Sequence, residues 1–112
     1  MKRMSDAELE EQNKLCREVK QRSLEILRLM QTHINASDVN GLREAVDRLR
    51  AIVDQNEKDG AIGVIATTEL CNALLQVDGL KMLEGLQQHP DQEVRNSSTR
   101  VFQHIIPRIW SF

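Results

Sequence analysis

Apolar and polar positions alternate at helical spacing along nearly the whole chain. Leu9, Cys16, Val19, Ser23, Ile26, Leu27, Met30 and Ile34 recur on one face, with Glu, Lys, Arg and Gln on the other. Ser5 followed by Glu8 is a capping-box pattern, and no Gly or Pro interrupts Asp6 to His33, which predicts one long helix over 5–34. Two shorter helices meeting near Gln21 fit the same pattern. The stretch INASDVNG carries turn chemistry, and Ser37 or Asp38 is positioned to cap a second helix over 37–56, striped by Leu42, Ala45, Val46, Leu49, Ile52 and Val53. A third helix over 60–77 is apolar on more than one face, so it belongs in the middle of the domain. Its β-branched Val64, Ile65, Thr67 and Thr68 raise the question of a strand, but no second strand is available to pair with it. Asp78-Gly79 turns the chain, and Leu80, Leu83 and Leu86 stripe a short fourth helix. His89-Pro90 ends that helix, and Pro90 suits the first position of the next. Val94, Ser98, Val101, Phe102, Ile105 and Ile106 line the last helix, which Pro107 is expected to stop, leaving 107–112 as a tail.

Composition narrows this to one small helical domain, 1–112, with an aliphatic core. A chain of 112 residues buries roughly 60 to 68% of its unfolded surface, and only 3% of this one is aromatic. The net charge of −2 is spread over both signs, so no basic block offers a surface for nucleic acid, and none is expected as a partner. The opening MKRMSDAELEEQ turns acidic after two basic residues, and no run of 18 or more apolar residues occurs. Neither secretion nor membrane association is expected, which points to the cytoplasm, the nucleus or both. Cys16 and Cys71, far apart on helical segments, read as reduced packing residues. The Asn35-Ala36-Ser37 and Asn96-Ser97-Ser98 acceptor patterns are then silent.

No catalytic constellation stands out, and no metal or cofactor is expected. His33, His89 and His104 are dispersed, without a second ligand at metal spacing on a shared face. Ser97 and His104 are two turns apart on one helix, roughly 10 Å, too far for a hydrogen bond. Ser97 and Ser98 read as small residues that let helices approach closely.

The order helix, Gly-turn, short helix, polar-Pro corner, long helix over Ile62 to Ile106 resembles an armadillo repeat. GLKMLEGLQQ stands as its short second helix and DQEVRNSSTRVFQHII as its third. SLEILRLMQTHINASDVNGLREAVDRLRAIV reads as the second and third helices of a preceding repeat, giving a period of roughly 40 residues. Leu42 to Ile106 is more specifically similar to the last two repeats of the importin-α family. That resemblance implies an all-α, short right-handed solenoid of about five helices with a long N-terminal helix or cap (5–34), a third-type helix (37–56), a repeat (60–106) and a protein-binding adaptor role. The family's ladder of Trp and Asn, which reads nuclear-localisation peptides, is absent: Arg100 and His104, and Asp47 and Ala51, stand in those places. The family's terminal repeats instead contact transport factors, the role implied for this chain.

The exposed faces of the two third-type helices carry Arg43, Asp47 and Arg50 on one and Arg95, Arg100 and Gln103 on the other. Side by side they would line a groove for a peptide or helix, and their arginines favour an acidic partner. Trp110 is a candidate anchor on the tail. The competing expectation is a helical bundle that self-associates through Asp6 to His33, as a homodimer.

Overall fold

The computed structural model describes residues 5–109, which fold into five helices: α1 Asp6–Asn35, α2 Val39–Lys58, α3 Ala61–Gln76, α4 Gly79–Leu86 and α5 Gln92–Ile109. Among the described residues there is no strand, and no helix is long and apolar enough to cross a membrane. α1 starts where the capping box places it, the Ser5 hydroxyl accepting from Glu8 N at 3.2 Å. It runs unbroken past Gln21 and buries Ser23, Ile26, Leu27 and Met30. Residues 5 to 11 are all exposed. A helix of 30 residues is about 45 Å long, and the molecule measures 50 × 24 × 22 Å, so the first turns of α1 project beyond the body.

Asp38, rather than Ser37, caps α2: its carboxylate accepts from Gly41 N at 3.0 Å, and its other oxygen is 3.2 Å from His33 Nδ1. Ser37 takes the left-handed turn before it, at φ 56°. α3 then packs back so closely on the end of α2 that a Cβ on Gly63 would fall onto the carbonyl oxygen of Asn56. Only glycine fits that crossing.

The turn into α4 differs from the expectation. Its left-handed residue is Asp78 (φ 56°), whereas Gly79 is the first residue of α4, where a Cβ would lie 2.6 Å from Leu74 Cδ2. A side chain there would have to displace the Leu74 methyl. Pro90 likewise stands outside α5, and Asp91 caps it, accepting from Val94 N at 3.0 Å. Nor does Pro107 stop α5, which continues to Ile109. Proline's fixed φ is helical, so the chain keeps its course through Pro107, and the N–H it lacks and the crowding of the carbonyl four residues back fall one turn from the helix end. The last helix therefore runs past 106, and the stretch expected as a tail over 107–112 begins in helix. Trp110 and Phe112 lie outside the described residues.

α1 packs on α2 and α3, α2 also on α3 and α5, and α4 on α3 and α5. Leu27, Met30, Leu49, Leu70, Leu74, Leu83 and Ile105 meet in one aliphatic core, with Phe102 only partly buried against it. Partners at Arg43 with Asp91, Asp47 with Ser97, and Glu57 with Arg100 show that α2 and α5 run parallel.

Candidate functional site

The charged residues singled out from the sequence converge only in part, along the seam where α2 meets α5. Arg43 Nη2 is 2.6 Å from Asp91 Oδ2, while its Nε faces Glu93 Oε2 at 3.0 Å, off the hydrogen-bond line. The guanidinium and the Val94 N–H together hold the Asp91 carboxyl down at about 2. Asp47 accepts from the Ser97 hydroxyl at 2.6 Å. Its proximity, and partial burial, push the Glu93 carboxyl upward. Arg100 pairs with Glu57, whose carboxyl it pulls down, and lies 3.4 Å from Asp54. Ser97 and Ser98 are fully buried, as small residues at a close crossing would be.

Three of the six groove candidates, Arg43, Asp47 and Arg100, are thus engaged inside the seam. Arg95 closes the corner before α5, donating through Nη1 to the carbonyls of His89 and Pro90, both at 3.0 Å. Arg50 and Gln103 are exposed, Arg50 only 4.0 Å from Asp54 one turn on. Asp47, Asp54, Glu57, Asp91 and Glu93 stand on this ridge beside Arg43, Arg50 and Arg100, with Arg95 at its start and Arg108 near His104, so a partner lying on it meets both signs of charge.

Beneath the seam is a polar chain with no signature in the sequence. Asn56 Nδ2 donates to Thr67 Oγ1 at 3.2 Å, and Thr67 Oγ1 is 3.1 Å from His104 Nε2. His104 Nδ1 faces Glu57 Oε1 at 3.2 Å. A hydroxyl that accepts from Asn56 and donates to Nε2 leaves the Nδ1–H of a neutral imidazole to donate to Glu57, so every link is satisfied by one tautomer. Burial, opposed by Glu57, lowers the His104 pKa and favours that neutral form. Hydroxyl, imidazole and carboxylate stand in the order used to activate a nucleophile. Thr67 is fully buried, however, and no substrate carbonyl can reach its oxygen. The chain instead fastens α2, α3 and α5 to one another. Its members are 11, 37 and 47 residues apart, beyond any spacing rule.

The other notable surface belongs to α3. At 100° per residue its buried side chains, Gly63, Ala66, Thr67, Leu70, Cys71, Ala73 and Leu74, fill one half of the circumference. Val64, Leu75, Thr68, Ala61, Asn72, Ile65, Gln76 and Glu69 take most of the other half, and Glu69 is its single charge. Val64 is 48% and Leu75 59% exposed, on one stripe with Thr68. This stripe was missed because a helix apolar all round reads as central, although its low hydrophobic asymmetry is also what an exposed apolar face produces.

Among the described residues no three His, Cys, Asp or Glu side chains converge on a metal-sized site, and Cys16 and Cys71 are free thiols. No family model, curated protein or solved structure matches the chain.

Proposed function

We propose that the chain is a protein-binding module of helical-repeat type, in which α3, α4 and α5 form one armadillo-like unit and α2 the last helix of the unit before it. The observation that carries this reading is the exposed half of α3, which carries a single charge, Glu69. Every other long helix turns charged residues to solvent, while α3 offers Val64, Thr68 and Leu75 in a row. Val64 and Leu75 stand roughly three turns apart on that face with Thr68 between them, and a helix laid along it would cover both. In a stack of repeats, apolar helix faces are covered by the neighbouring unit, and a partner helix can do the same.

The ridge of α2 and α5 is the second contact surface, and Arg50 and Gln103 are its exposed members. Kinship with the final repeats of importin-α would make the partner a transport factor, and rests on the helix order alone.

Affinity capture tests the module and its surface together. Wild type should enrich a discrete set of proteins that the double variant Val64→Glu/Leu75→Glu loses while keeping its helical circular dichroism. Arg50→Glu/Gln103→Glu should weaken the same set less. Equal recovery by wild type and the α3 variant would remove α3 from the reading, and no enrichment over a control bait would remove the module itself.

A further inference from the structure

The seam of α1 continues beyond the part that its own chain covers. Leu9, Gln12, Cys16, Val19, Ser23, Ile26 and Met30 follow each other at alternating steps of three and four, the spacing of a coiled-coil seam. Ser23, Ile26 and Met30 are buried in the core, whereas Leu9 is 48% exposed and Gln12, Cys16 and Val19 are only half-buried. Charge divides the same stretch in two. Residues 6–13 carry Asp6, Glu8, Glu10 and Glu11 and no cation, and residues 14–22 carry Lys14, Arg17, Lys20 and Arg22 against the single acid Glu18.

We propose that this seam pairs with the same seam of a second copy of the chain, antiparallel and centred on Lys14. That register sets Leu9 opposite the second copy's Val19 and Gln12 opposite its Cys16, each contact made twice by symmetry. On the flanks Asp6 meets the second copy's Lys20 and Glu8 its Arg22, giving four ion pairs across the overlap. A parallel pairing would lay the acidic start on its own copy. The antiparallel one lays it on the basic stretch, so the charge pattern selects both the partner and its direction. Seventeen residues overlap over roughly 25 Å at the helical rise.

The body of the molecule adds an apolar landing site. Leu15 and Val19 share a cleft with Ile52, Ile62 and Ala66, and Ile62 is 54% exposed at its edge. The second copy's Leu9 arrives beside Val19 and Ile62, covering both. Lys14 faces away from the seam and stays in solvent, where it is exposed already. This pairing uses none of the α3 stripe at Val64 and Leu75, so it stands or falls separately from the proposed partner surface.

Sedimentation equilibrium on the full chain is the test. Wild type is expected to dimerise with a dissociation constant in the micromolar range that rises with salt, as a short seam with four exposed ion pairs should. Asp6→Lys/Glu8→Lys and Lys20→Glu/Arg22→Glu each place like charges across the seam and should weaken it by about tenfold or more. An equimolar mixture of the two restores opposite charges in all four pairs and should recover the dimer. A variant that had merely frayed would not be rescued in this way. Val64→Glu/Leu75→Glu should leave the dimer intact. A wild-type monomer at the highest soluble concentration overturns the proposal, and so does a dimer that both charge variants retain or a mixture that stays monomeric.

Discussion

At the scale of single residues, the fold depends on a few positions whose chemistry is unusual for where they stand. Ser23 is fully buried on α1, and its hydroxyl finds no partner among the described residues. Removing an unsatisfied buried hydroxyl should help, so Ser23→Ala is expected to raise the unfolding free energy by about 1 kcal/mol in urea titration. Gly63 is the opposite case. Its Cβ would overlap the Asn56 backbone, which has no flexible end to move, so Gly63→Ala should cost about 3 kcal/mol as α2 and α3 are forced apart. His104 shows how little of this was visible beforehand. The sequence placed it at a peptide-reading position, because its place on the last helix was legible while its long-range partners Thr67 and Glu57 were not. Its lowered pKa also has a consequence. The unfolded chain takes up a proton near pH 6.5 that the folded chain resists, so stability should fall as the pH drops below about 6.5, and His104→Gln should flatten that slope in thermal melts.

At the scale of elements, all five helices were legible from apolar period and caps, and the errors fell at their ends. Period fixes which residues share a face, but an end is decided by which side chain can satisfy the first free N–H groups. Asp91 does so for α5, and Asp38 rather than Ser37 for α2. Asp38→Ala should cost about 1 kcal/mol, the usual loss of an N-cap, read by chemical denaturation. Asp91 adds a pH signature. Its carboxyl is held at about 2 against an ordinary 3.8, so its contribution is complete above 3.8 and disappears as pH falls towards 2. Asp91→Asn should therefore melt lower than wild type at pH 7, with the two converging near pH 2. Pro107 does not end α5, because its fixed φ is itself helical and only two residues of the helix follow it.

At the scale of the whole molecule, the arrangement separates a packed body from two surfaces that it leaves open. The body is α2 to α5 with the second half of α1, joined by an aliphatic core and clasped from below by Asn56, Thr67, His104 and Glu57. One open surface is the projecting start of α1, and the other is the weakly charged half of α3 that carries Val64 and Leu75. The expected charged groove is different in kind. Side-by-side packing of α2 and α5 turned Arg43, Asp47 and Arg100 towards each other's helix, so much of the charge counted as available is already paired. Sequence could mark these residues as lying on polar faces. It could not show that the two faces would neutralise one another. We propose α3 as the docking face, and side-chain carbene footprinting of the captured complex reads that contact residue by residue. Labelling at Val64 and Leu75 should fall when the partner is bound, with Arg50 and Gln103 less changed. Protection confined to Arg50 and Gln103, with Val64 and Leu75 labelled as in the free chain, would contradict it.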